Sequence, residues 1–143
     1  LEEYYYNSRQ ARRQKTDQEY ADDLGALVKG RPLGAVVVDP SAASFIEVLR
    51  RRGVPVRKAN NDVLSGIRLT ARLLKEGKLV ICSPCRDAIR EFGLYRWDTS
   101  GSGGDRVVKE HDHAMDDIRY FASTIAAGNS GGFFAGSVER TGF

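Results

Sequence analysis

The sequence predicts an α/β domain, on three observations. Short β-branched runs alternate with stretches whose apolar residues recur every three or four positions. The run Gly34-Ala35-Val36-Val37-Val38 is apolar without a break, as in a strand covered on both faces. The 143 residues suit one compact domain, against a prior of roughly 100 to 200 residues per domain. Alternation of this kind argues for a layered α/β sandwich with at least partly parallel pairing.

Taken in order, Leu1 to Tyr6 is β-prone and predicts a strand, followed by a basic loop from Asn7 to Lys15. Thr16-Asp17-Gln18-Glu19 has the spacing of a capping box, in which the hydroxyl and the carboxylate each satisfy a free backbone N–H, so a helix should start at Asp17. Tyr20, Ala21, Leu24, Leu27 and Val28 supply its apolar stripe, and Gly30 with Pro32 its stop. The Gly34–Val38 strand ends at Asp39-Pro40. Ser41 can cap a helix carrying Phe45, Ile46, Val48 and Leu49, closed by Gly53. Val54 to Ala59 is then the next strand, which completes a strand-helix-strand unit.

Asp62 opens a further helix, with Val63, Leu64, Ile67, Leu69, Ala71, Leu73 and Leu74, that stops at Gly77. Lys78 to Cys82 is expected to be a strand, and Pro84 to begin a short helix reaching Phe92. Gly101-Ser102-Gly103-Gly104 is expected as a flexible loop. A long helix should run from Lys109 to Ala126, with Ala114, Ile118, Phe121, Ala122 and Ile125 on one side. Residues 128–143 are poor in helix formers and are expected to be a flexible tail.

Composition excludes several classes. Hydrophobic residues at 41% and charged residues at 29% match ordinary globular usage, which excludes wholesale disorder. No apolar run approaches the roughly 18 to 20 residues that span a bilayer, and the opening lacks a signal-peptide pattern. A soluble, intracellular protein with no membrane partner is the expectation. Residue 1 is Leu and the chain opens directly on an aromatic run, so a truncated chain is expected. The net charge of +3 permits nucleic-acid binding without requiring it.

Two clusters could carry chemistry. Asp39 lies at the carboxyl end of a buried strand, where open α/β sheets place their ligands. Its bland alternative is a turn carboxylate capping the next helix. At the start of the last helix Asp112, His113 and Asp116 share one face, because residues three and four apart are neighbours. Acids in a first turn ordinarily complement the helix dipole, but like charges four apart repel, and a bound cation relieves them. If the sheet brings Asp39 beside this face, carboxylates and an imidazole would suit Mg²⁺ or Mn²⁺. Such a site suits phosphodiester cleavage, with nearby Arg and Lys on the phosphates.

Other readings compete. Cys82-Ser83-Pro84-Cys85 has thioredoxin-like spacing at a helix start, although the preceding elements do not follow thioredoxin order. Cys82, Cys85, His111 and His113 have the ligand types of a zinc site. Arg50-Arg51-Arg52 is by default helix-end charge. Tyr4 to Tyr6, Trp97 and Tyr120-Phe121 are expected as packing rather than base-stacking platforms.

Three segments together resemble a known family. Val36 to Ser44, Ala59-Asn60-Asn61-Asp62 with Gly66-Ile67-Arg68, and Lys109 to Tyr120 with its His-Asp-His-Ala-Met-Asp core are similar to the carboxyl-terminal nuclease domain of tailed-phage terminase large subunits. The likeness runs from Tyr4 to about Phe121. It implies an RNase H-like fold over residues 1–127, a mixed sheet flanked by helices and lacking its first strands. It implies a Mg²⁺- or Mn²⁺-dependent endonuclease that cuts concatemeric double-stranded viral DNA during packaging, in the cytoplasm of the bacterial host. The implied catalytic metal ligands are Asp39, His113, Asp116 and Asp112, with Arg12, Arg13 and Lys15 on DNA phosphates. The implied partners are double-stranded DNA, the terminase small subunit and the portal of the procapsid.

The family's further catalytic Asp lies on an earlier strand, upstream of Leu1. Its loss would leave an exposed sheet edge and weak cleavage, or a catalytically incomplete DNA-binding or assembly module. The 143 residues contain no G-x-x-x-x-G-K-[ST] motif, so the family's ATPase motor is not expected within them.

Overall fold

A computed structural model describes residues 3–96, 108 and 112–126. The Gly101–Gly104 loop, Trp97, the expected helix start at Lys109, His111 and the 128–143 tail lie outside the described residues.

The centre is a parallel pair, β1 (Val36–Val38) and β2 (Val56–Lys58), joined by helix α3 (Ala43–Arg51) as the sequence predicts. Val36 pairs with Val56, Val37 with Arg57 and Val38 with Lys58. Successive strand side chains point to opposite faces. Val36 and Val38 therefore pack with Tyr20, Ala21 and Leu24 of α2 (Asp17–Leu27) and with Phe45, Ile46 and Leu49 of α3. Val37 turns the other way, onto Ala59, Tyr120 and Ile125. Both faces are covered, which accounts for the unbroken apolar run. Burying each such valine contributes about 1.5–3 kcal/mol.

The capping box opens α2 as expected, with the Thr16 hydroxyl accepting from the Glu19 N–H and the Glu19 carboxylate accepting from the Thr16 N–H. Gly30, Gly53 and Gly77 follow α2, α3 and α4 (Val63–Lys75) with φ of 76°, 75° and 66°, left-handed turns that favour glycine. Asp62 caps α4 through the Ser65 N–H. Ser41 does not cap α3. The N-cap is Ala42, without a side-chain bond, and the Ser41 N–H instead donates to Asp39.

Two expected strands do not form. Glu3 to Asn7 makes no ladder, and its tyrosines reach other elements: Tyr4 to Asp23, Tyr5 to Glu91, and Tyr6 to the Arg13 carbonyl. A one-turn helix, α1 (Ser8–Ala11), follows within the expected loop. At Lys78 to Cys82 the amides of Lys78 and Leu79 both donate to the Leu73 carbonyl, turning the chain back on the end of α4 before a strand can extend.

The last two helices are capped from a distance. The N-cap side chains of α5 (Arg86–Leu94) and α6 (His113–Phe121), Cys85 and Asp112, make no capping bond. Glu3 accepts instead from the amides of Asp87 and Ala88 of α5, at 3.0 and 2.8 Å. Glu91 of α5, fully buried, accepts from the Ala114 amide of α6 at 2.7 Å. α6 continues into a π-helical turn, Ala122–Ala126, where the Thr124 hydroxyl accepts the Asn60 N–H at 2.9 Å.

Helix α4 packs on α6 at Gly66. A Cβ there would stand 2.5 Å from Cγ and 2.9 Å from Cδ of Arg119, and 2.8 Å from the Ser123 hydroxyl. Those carbons belong to the buried stem of Arg119 and have little room to yield. Gly66→Ala is expected to destabilise the fold by about 1–3 kcal/mol, the range for overpacked sites, measured by denaturant unfolding beside Gly93→Ala, whose Cβ would meet nothing within 4 Å.

Candidate functional site

Asp39 stands just past the carboxyl end of β1, half-buried. One carboxylate oxygen accepts from the Ser41 amide at 2.7 Å, and the other from the Tyr120 hydroxyl at 2.6 Å. Burial by itself would raise this carboxyl. The hydrogen bonds from Tyr120 and Ser41, helped by the charge of Arg119, outweigh it and hold Asp39 below the usual carboxylate range. Burial, and then the hydrogen bond to Asp39, push the Tyr120 phenol above its ordinary value, so it remains a donor at neutral pH.

Tyr120 connects Asp39 to α6. Its hydroxyl also lies 3.4 Å from the Asn61 amide oxygen, to which Arg119 donates at 3.3 Å. Arg119 is 2% exposed, and its Nη2 and Nε donate to one oxygen of Asp116 at 2.8 and 3.3 Å. Its guanidinium carbon lies 4.6 Å from the centroid of the Tyr120 ring, within the range of a cation–π contact. Asp39, Tyr120, Asn61, Arg119 and Asp116 thus form one connected polar cluster, drawn from the end of β1, the β2–α4 loop and α6.

Of the sequence-predicted residues, Asp39 and Asp116 enter this cluster. Asp112 is buried at the N-cap of α6, and His113 is half-buried at its first position. Among the described residues no three His, Cys, Asp or Glu side chains form a group that could hold a metal ion. With the charge of Asp116 met by a buried guanidinium, these residues fit Mg²⁺ or Mn²⁺ only together with a further carboxylate.

Lys15 donates to Asp23 at 2.5 Å and to the Tyr4 hydroxyl at 2.7 Å, with the Tyr6 ring centroid 4.5 Å from its ammonium. Arg13 pairs with Glu19, and Arg12 is exposed in a left-handed backbone conformation. Arg51 and Arg52 are engaged at the end of α3, with Glu47 and Asp22. Cys82, half-buried, and Cys85, buried, are not joined in a disulfide. Burial and then the charge of Glu3 raise Cys85. His111, the remaining member of the zinc reading, lies outside the described residues.

Sequence reasoning missed Asn61, Arg119 and Glu91 as organising residues and treated Tyr120 as packing. The i,i+3 spacing of Asp116 and Arg119 was the available signal for their ion pair. The reach of Tyr120 to Asp39, 81 positions away, left no local trace.

Fold and site together define an α/β domain with an acidic centre at the end of a parallel strand, beside a helix bearing acids of its own. The chain is similar to the large terminase of a thermophilic bacteriophage. Against that protein solved with ADP the identity is 43% and the TM-score 0.87, over 89% of this chain and 33% of the other. Against it with ATP-γ-S the identity is 43% and the TM-score 0.85, over 87% and 33%. The likeness supports a terminase large-subunit fragment, and the chain spans about a third of the length of that phage protein. No protein-family model and no curated protein matches the chain.

With the folded Asp39 carboxyl below its unfolded value of about 3.9, its contribution to stability is present above that pH. It is lost as pH falls through the lower folded value. Tyr120→Phe removes the 2.6 Å bond and is expected to cost about 1.5–3 kcal/mol, the range for hydrogen bonds to charged groups. It should also move the Asp39 titration upward and shrink the loss of stability on acidification. Carboxyl-carbon NMR titration and pH-dependent denaturant unfolding of both proteins check this.

Proposed function

We propose that the chain is the nuclease portion of a terminase large subunit, an RNase H-like domain over residues 1–127 followed by a tail over 128–143. On this reading it is a Mg²⁺- or Mn²⁺-dependent endonuclease that cuts concatemeric double-stranded viral DNA during genome packaging. It acts in the cytoplasm of the bacterial host, with the terminase small subunit and the portal of the procapsid as partners. The observation that carries the reading is the polar cluster that links Asp39, at the end of a buried parallel strand, through Tyr120, Asn61 and Arg119 to Asp116 of α6, in a chain 43% identical to a phage large terminase.

Asp39 and Asp116, with Asp112 and His113 on the same helix, are this chain's share of the metal site. The reading requires at least one further acidic ligand from outside the described residues. The carboxylates carry the ligand role, and Tyr120 and Ser41 keep Asp39 ionised and oriented. The Arg119–Asp116 ion pair favours a second reading, in which the chain by itself is a catalytically incomplete DNA-binding or assembly module.

Thermal unfolding under increasing Mn²⁺ separates the two. A ligand bound only by the folded state stabilises it by about 2.7 kcal/mol at a hundredfold excess over Kd. The nuclease reading expects Mn²⁺ to raise the Tm of the parent and of a Cys82→Ser/Cys85→Ser variant, but not of Asp39→Asn, with Mn²⁺-dependent cleavage of duplex DNA to follow. An unmoved Tm in all three, with no cleavage, leaves the assembly reading.

A further inference from the structure

Helix α4 carries charge of one sign. Between Val63 and Lys75 it holds no acid, and its basic residues are Arg68, Arg72 and Lys75. With 3.6 residues per turn these three fall on one stripe, on the side of the helix away from Gly66, the position that packs on Arg119. All three are exposed. The nearest acids in sequence are otherwise engaged: Asp62 caps the helix through Ser65, and Glu76 pairs with Lys78. None of the three basic residues has an ion-pair partner among the described residues. This differs from the Arg12–Lys15 segment, where Arg13 is paired with Glu19 and Lys15 with Asp23.

The stripe and the acidic centre lie on opposite faces of α4. α4 starts from the loop whose Asn61 accepts from Arg119 and Tyr120, and its inner face packs on α6 and the π-helical turn. At a rise of about 1.5 Å per residue, Arg68 and Lys75 stand about 10 Å apart along the helix. That span suits successive phosphates of a nucleic-acid strand, which advance about 3.4 Å along the duplex axis.

We propose that Arg68, Arg72 and Lys75 form a track for the backbone of duplex DNA along the outer face of α4, the helix whose inner face packs on the Asp39–Asp116 centre. This rests on the reading of the chain as a DNA-acting domain. Contacts of this kind are made to phosphates, so the track adds affinity without sequence preference.

The test is duplex binding by the full 143-residue chain, monitored through the fluorescence anisotropy of labelled DNA in EDTA over a range of salt. Each lost phosphate contact reduces the slope of log K against log salt by about 1. The variant Arg68→Gln/Arg72→Gln/Lys75→Gln is therefore expected to reduce it by about 3 and to weaken binding equally on unrelated sequences. All three side chains are exposed, so the variant should keep the parent's circular dichroism and Tm. Arg12→Gln/Arg13→Gln is the rival, expected to change the slope by less. An unchanged slope and affinity in the α4 variant would overturn the track, as would a parent that binds no duplex or a loss confined to the Arg12/Arg13 variant. Because binding is read in EDTA, a chain that binds through α4 yet never cleaves with Mn²⁺ defeats the nuclease reading and leaves the track standing.

Discussion

A buried guanidinium sets the terms for this structure. A charge removed from water is tolerated only where it is paired and hydrogen-bonded, and Arg119 draws partners for its Nε and Nη2 from separate parts of the chain, its Nη1 having none among the described residues. Asp116 neutralises it, the Asn61 amide oxygen accepts from it, and the Tyr120 ring presents its face to it. Its aliphatic stem needs the absent side chain of Gly66. Helix α4, the loop before it and α6 are therefore fixed together at one point. Through the Tyr120 hydroxyl that point extends to Asp39 at the end of β1. The orientation of the strand acid is thus tied to the seating of a helix that follows it by more than seventy residues.

The halves of the domain solve the same problem in different ways. The free amides at the start of α2 are met by Thr16 and Glu19, which lie within the helix entry itself. Those of α5 and α6 are met by carboxylates from elsewhere, Glu3 and Glu91. A local cap can form with its helix, whereas a remote one forms only after packing. Glu91 can be fully buried because the Ala114 amide and the Tyr5 hydroxyl both donate to it, in keeping with the rule that buried polar groups find partners.

Local signals explain what was legible in the sequence. The capping box at Thr16, the glycines after α2, α3 and α4, and the unbroken valines of β1 each act within a few residues, and the structure places them where the sequence predicts. The strand-helix-strand unit follows from them. The strands expected at Leu1–Tyr6 and Lys78–Cys82 rested on β propensity, which reports fit to a half-buried pleated surface. Over the described residues neither segment meets such a surface: the tyrosines reach other elements, and Val80 is 63% exposed. At the site, Asp39 and Asp116 could be picked out because acids at a strand end and in a helix's first turn are unusual. Arg119 and Tyr120 could not, since each looks on a helical stripe like surface charge and core aromatic.

The remote capping of α5 bears on the order in which the chain can assemble. The contacts of β1, α3 and β2 close over short stretches of sequence, while Glu3 must wait for amides 84 and 85 residues further along. Contacts of long sequence separation are made late because the loop they close must first be ordered. As the polypeptide leaves the ribosome, the central unit can therefore settle while the residues ahead of it are still unattached. The segment around Glu3, which precedes the central unit in the chain, is then among the last to find its place.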